Sequence, residues 1–167
     1  MSFESHLDDP LLREIYAYWR ERRAERRMPA RRQIDPTDMP RLLPHLVISE
    51  QLDGGARFRY RLAGTAVAGA VGFNPTGRCI DEVVSGGYGD FITGLHRTVC
   101  REAVPLFAAS AFSPAARGRH FFARRLMLPL SDDDRSVNQI LSLVIFHFAA
   151  GRPALTVVDR PAADAAD

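Results

Sequence analysis

The sequence predicts an α+β domain. A five-stranded antiparallel sheet carries short helices and one longer helix on one face, and an amphipathic helix precedes it. Three observations predict this. HLVISEQL and FRYRL meet across Asp53-Gly54-Gly55, a turn sequence with hairpin spacing. Further along, LFAASAF, HFFARRLMLPL and VNQILSLVIFHFA follow one another across turn-forming segments and are rich in aromatic or β-branched residues. Between these two groups, Phe91, Ile92, Leu95 and Val99 recur at helical spacing. Strands on either side of one long helix are satisfied by a single sheet with that helix across a face.

The first helix starts at Asp8-Asp9-Pro10, with acids at the positive end of its dipole and proline in the first turn. Leu12, Ile15, Tyr16 and Trp19 form its apolar stripe. Arg20, Arg22, Arg23, Arg26 and Arg27 line the polar side, Arg31 and Arg32 extend the patch, and Pro29 is the expected stop. Asp35-Pro36 opens a short helix reaching residue 42 or 43, closed by Pro44. In the second strand, Phe58, Tyr60 and Leu62 share one face, and Arg59 and Arg61 the other. Residues 63–70 predict a short helical piece ended near Gly72, and 80–84 a further turn. The longer helix is expected over 88–101, and the late strands over 106–112, 120–130 and 137–149, with turns at 113–118 and 131–134. Residues 151–167 are rich in Pro, Ala and Asp and read as a disordered tail. The expected division is a lead and Arg-rich helix over 1–32, the sheet domain over 33–150 and the tail over 151–167.

Composition narrows the function classes. At 167 residues, 46% of them hydrophobic, the chain can bury one core without disulfides or a structural metal. All 22 basic side chains are arginine, but 20 acids leave a formal net charge of only +2, which argues against a general polyanion binder. Cys79 and Cys100 make neither a disulfide framework nor a zinc cluster. The residues after Met1 are polar, and no apolar run reaches the roughly 18 residues of a membrane span. A reducing cytoplasmic setting without membrane contact is therefore expected. There is no G-x-S-x-G, P-loop, G-x-G-x-x-G after a strand or H-E-x-x-H, so no enzyme is expected.

The stretches YWRERRAERRMPARRQIDPTDMPRLLPHLVISE and FRYRLAGTAVAGAVGFNPTGRCIDEVV, with this order of elements, resemble the PAS sensor domain. The likeness is to the short single-domain PAS proteins of alphaproteobacteria and covers about residues 11–149 by element order. It implies a PAS-like five-stranded sheet. It also implies a non-enzymatic sensory or regulatory module acting through dimerisation and contact with a signalling protein. It specifies no ligand and no cofactor.

Candidate sites follow. Leu12, Ile15, Tyr16 and Trp19 are the candidate homodimer interface. A pocket for a small ligand would be walled by Tyr60, Phe91, Leu95, Phe107, Phe122, Leu141 and Leu143. Arg59, His96, Arg124 and Gln139 would orient the ligand, and a filled core is the alternative. Haem-binding PAS domains take a proximal His from the longer helix, which makes His96 the haem candidate; no other metal ligand is expected. Flavin photoreceptor PAS domains carry Asn-Cys-Arg-Phe-Leu-Gln, and Gly77-Arg78-Cys79-Ile80-Asp81 lacks the flanking groups. The arginines between 20 and 32 offer a nucleic-acid surface as an alternative to an ordinary solvated face. Asp132-Asp133-Asp134 reads as a turn, because the Gly and distal Glu of a calcium loop are missing. His120 and His147 lie on strands and would meet only if register brought them together.

Overall fold

Six strands form one sheet in the order β2-β1-β5-β4-β3-β6 in a computed structural model that describes residues 2–112, 120–149 and 156–162. The early hairpin is β1 (Leu46–Leu52) and β2 (Arg57–Ala63), and the late meander is β3 (Leu106–Phe112), β4 (His120–Leu130) and β5 (Gln139–Ala149). β5 returns to pair with β1 and joins the two groups into an antiparallel sheet. The helices are α1 (Pro10–Arg23), α2 (Thr65–Val71), α3 (Ile80–Val83) and α4 (Gly86–Glu102).

The five expected strands are present, and the sheet gains a sixth. β6 (Val157–Asp159) pairs antiparallel with the free edge of β3, within the stretch expected to be a disordered tail. A three-residue edge strand flanked by Pro and Ala carries too short a pattern to be recognised. The turn expected over 113–118 and the tail residues 151–155 and 163–167 lie outside the described residues.

Local chemistry sets the element boundaries. Asp9 caps α1 by accepting the Leu11 N–H at 2.8 Å, with Pro10 as the first helical residue. α1 ends at Arg23, ahead of the expected stop at Pro29, because Ala24 turns to φ 49°. The chain beyond it is held by Asp134, whose carboxylate accepts the Arg27 and Met28 N–H groups. The short helix expected to reach residue 42 is instead two 3-10 turns, Pro36–Asp38 and Leu43–His45. Pro40 and Pro44 lack the N–H groups that a continuous α-helix requires there. Gly64 sits where a Cβ would lie 2.1 Å from the Leu43 carbonyl oxygen, so only glycine lets the end of β2 pass this turn.

Both faces of the sheet are covered. Ser49, Tyr60, Val47, Ser142, Val144, Arg125, Met127 and Ser110 point to the side of α2 and α4, as pairing register and strand alternation dictate. Across the other face, Leu46, Leu143, Leu126 and Phe107 stand in one row, with Ile48, Leu141 and Leu128 in the next. α1 and the turn before it cover this second face. The Trp19 indole donates to the Pro129 carbonyl at 2.9 Å, and the His6 ring stacks on Phe107 at 4.8 Å.

This packing corrects the expected homodimer stripe. Leu12 and Ile15 are 0% exposed and Trp19 is 4% exposed within one copy. Tyr16 alone of the four remains half-buried, against Phe3 and Trp19. The physical reason is the second apolar face of the sheet, which needs a cover and receives α1. Residues on α1 and on the strands accordingly belong to one continuous core.

Trp19→Phe keeps the aromatic packing but leaves the buried Pro129 carbonyl without its donor. It is expected to lower unfolding free energy by about 1–3 kcal/mol. Trp19→Ala is expected to cost about 3–5 kcal/mol. Urea unfolding followed by circular dichroism measures both. If α1 were a surface appendage, both variants would stay within about 0.5 kcal/mol of the parent.

Candidate functional site

A cavity of about 50 Å³ lies between the sheet and helices α2 and α4. Its walls are largely aliphatic and aromatic, from Val47, Val67, Ile92, Met127, Val144 and Phe146 among others. Into this lining project Tyr60 from β2, Tyr88 and His96 from α4, Arg125 from β4 and Ser142 from β5.

His96 is 6% exposed. Its Nδ1 donates to the Ile92 carbonyl one turn back at 2.8 Å. That fixes Nε2 as an acceptor, which takes the Ser49 hydroxyl at 3.1 Å. Burial is the main force holding its pKa down to about 4; the Ile92 bond opposes the shift and the charge of Arg125 adds to it. The ring is therefore neutral at physiological pH, with both nitrogens partnered. This corrects the haem expectation: His96 offers iron no free nitrogen, and a cavity of about 50 Å³ has no room for a macrocycle.

Arg125 is 7% exposed and is placed differently. Its Nη2 donates to the Tyr88 hydroxyl at 2.6 Å, and its guanidinium carbon lies 5.8 Å from the Tyr88 ring centroid. Among the described residues its buried Nε has no partner. Among the described residues no carboxylate forms an ion pair with it. The hydroxyls of Ser142 and Ser110, on the same sheet face, are likewise buried without partners. Burial also pushes the Tyr60 phenol up to about 12, so it stays protonated.

Of the residues expected to form a pocket, the structure brings Tyr60 and His96 to the cavity. Leu95 and Phe91 lie on α4 beside it without lining it; Leu95 is buried and Phe91 packs against Tyr88. Phe107, Phe122, Leu141, Leu143 and Gln139 stand on the opposite face, as does Arg59, which pairs with Glu50. Arg124 also points away, donating to the His6 carbonyl at 2.9 Å and pairing with Asp8. On β3, β4 and β5 the cause is a one-residue error of parity, which in a strand moves a side chain to the other face, whereas Arg59 follows the alternation that already sets it opposite Tyr60. Arg125, Tyr88 and Ser142 line the cavity and were the polar residues missed. A signal for them existed: two adjacent arginines on one strand must face opposite ways, so one had to enter the α4 side.

The remaining candidates have structural partners. Arg22 pairs with Asp38 at 2.9 Å, Arg26 donates to the Ser131 carbonyl at 2.7 Å, and Arg31 donates to the Ile34 carbonyl at 2.7 Å. Much of the arginine cluster thus ties α1 and its following segment to the domain. Asp133 accepts the N–H groups of Ser136 and Arg135 and the Ser131 hydroxyl, which hold its carboxyl down to about 2. Cys79 is buried at the start of α3, where its N–H donates to Glu82 at 2.9 Å, and it does not line the cavity. His147 is exposed and stands opposite Phe122, while His120 stands opposite Ala149. Among the described residues no group of three or more His, Cys, Asp or Glu is placed to hold a metal ion.

A sheet of this order with α4 across the cavity-bearing face defines a sensor-type α+β domain. The chain matches the PAS domain family over residues 7–145 and belongs to that family. PAS domains are sensory and regulatory modules, which is the role family membership supports here. No curated protein matches the chain. Among the described residues no helix is long and apolar enough to cross a membrane.

The histidine makes a testable statement about pH. The fold binds the neutral ring, so between about pH 6.5 and 4 the unfolded chain carries the extra proton. The stability contributed by neutral His96 is fully present above pH 6.5 and is lost as pH falls through about 4. Urea midpoints measured from pH 7.5 to 4 should fall across this window, and His96→Gln should flatten that part of the profile. A His96 titration midpoint near 6.5 by NMR would contradict the assignment.

Proposed function

We propose that this PAS domain is a non-enzymatic sensory module whose input is a small molecule held between the sheet and α4. Its output is contact with a signalling protein, in the cytoplasm, where the free thiols Cys79 and Cys100 stay reduced. The observation that carries the reading is the cavity lining: a mostly apolar wall into which Tyr60, Tyr88, Arg125 and Ser142 converge. Two of these lining residues, Arg125 and Ser142, hold buried polar atoms without partners among the described residues, which a ligand in the cavity can satisfy. Binding there bears directly on β4, β5 and α4, so occupancy can alter the surface that a partner meets. Any pairing of two copies needs surface other than Leu12, Ile15 and Trp19, which already cover the sheet.

Native mass spectrometry of the full chain, purified from expressing cells, tests the sensing reading and reports the oligomeric state together with it. The expected result is a small-molecule adduct that is lost on denaturation. The bare chain mass in every preparation, with no metabolite in a broad panel raising the melting temperature, would overturn it.

A further inference from the structure

Among the described residues the cavity carries one buried charge, and that charge states what its ligand must be. Resting on the small-molecule reading above, we propose that the site binds a small organic monocarboxylate, with its carboxylate on Arg125 and its short apolar tail among the aliphatic side chains. Arg125 is 93% buried by its 7% exposure, its Nε has no partner, and among the described residues it has no carboxylate counter-ion. A guanidinium in this setting is a planar two-point donor for a carboxylate. Tyr88 accepts from Nη2 at 2.6 Å and braces the group, while keeping its own proton to donate. Ser142, in the cavity lining, adds a buried hydroxyl without a partner among the described residues.

The neighbours of Arg125 decide the charge of the ligand. His96 is neutral and bonded at both nitrogens, and Tyr60 is a neutral phenol. Among the described residues the site therefore holds a single positive charge and no negative one. A monoanion neutralises it, a neutral ligand leaves the guanidinium uncompensated, and a phosphate dianion brings a second charge with no cation to meet it. The apolar walls and the volume of about 50 Å³ select a short tail. Arg124 cannot compete, because it is bound to Asp8 and the His6 carbonyl on the other face.

The test is calorimetric titration of the full chain with acetate, propionate, butyrate, valerate and benzoate, beside butyramide, butanol and inorganic phosphate. One or more acids should bind at one site per chain, with butyramide and butanol at least about tenfold weaker than butyrate or absent. Arg125→Gln should weaken the best acid by about 10–100-fold, as expected for loss of a charged hydrogen-bonding partner. Arg125→Lys should fall between. Far-UV circular dichroism checks that each variant folds; if Arg125→Gln does not, Tyr88→Phe removes only the bracing hydroxyl and should still weaken the acid. The Arg125 Nε–H resonance, assigned by its absence in a folded Arg125 variant, should shift on saturation. Amides binding as tightly as acids, an Arg125 variant binding undiminished, or no acid binding at millimolar concentration would overturn the proposal. A neutral adduct found by native mass spectrometry would overturn it as well, while leaving the small-molecule sensor reading in place.

Discussion

A β-strand sends successive side chains to opposite faces, so a sheet buried on both sides must find cover for two separate surfaces. That constraint organises this molecule. α4 and α2 take one face and α1 takes the other, and the register between β1, β5, β4 and β3 decides which residue goes where. Arg124 and Arg125 show the consequence. Neighbours in sequence, they end on opposite sides of one strand, one tied to Asp8 and the other enclosed beside Tyr88. α1 is consequently a structural layer of the domain, and the arginines around its end hold that layer in place.

Each face carries both satisfied and unsatisfied buried polar groups, and what differs is whether the unsatisfied ones border a cavity. On the α1 side, Trp19 finds Pro129, Arg26 finds the 131 carbonyl and Arg124 finds Asp8, while Gln139 Oε1 and the Nε atoms of Arg22 and Arg23 are buried without partners among the described residues and none of the three residues lines the cavity. On the α4 side, His96 is satisfied by Ile92 and Ser49, but Arg125, Ser142 and Ser110 keep buried atoms without partners. A buried polar atom without a partner costs about 1–3 kcal/mol, and more for a charged group. Of the atoms without partners, Arg125 Nε and Ser142 Oγ belong to residues that line the cavity beneath α4, where a ligand can complete them. Strained or unsatisfied sites are a recurrent mark of function rather than of stability.

Much of the architecture was legible in the residues. The hairpin at Asp53-Gly54-Gly55, the cap at Asp9-Pro10 and the stripe of α4 each rest on local chemistry that tertiary packing did not overturn. The site was legible only in part, for a physical reason. A half-exposed strand alternates polar and apolar residues and shows its inward face. HFFARRLMLPL is buried on both faces through much of its length, so the alternation is erased and parity cannot be read from it. The face of Tyr60 was legible because Arg59 and Arg61 flank it and mark the other face. The inward face of α4 at His96 was legible because helical spacing is independent of the sheet. The role of the α1 stripe was misjudged because amphipathicity shows that a helix covers something without showing what. β6 was missed because three residues leave almost no pattern.

The central claim is that Arg125 serves a ligand and not the stability of the empty fold. Replacing a buried charge that lacks a counter-ion by an apolar side chain of similar reach removes a desolvation cost while keeping much of the packing. The most direct measurement is the unfolding free energy of ligand-free Arg125→Met against the parent, by urea denaturation at neutral pH. The account predicts a variant as stable as the parent or more stable. A loss of more than about 2 kcal/mol would show that Arg125 holds the fold together, and would contradict it.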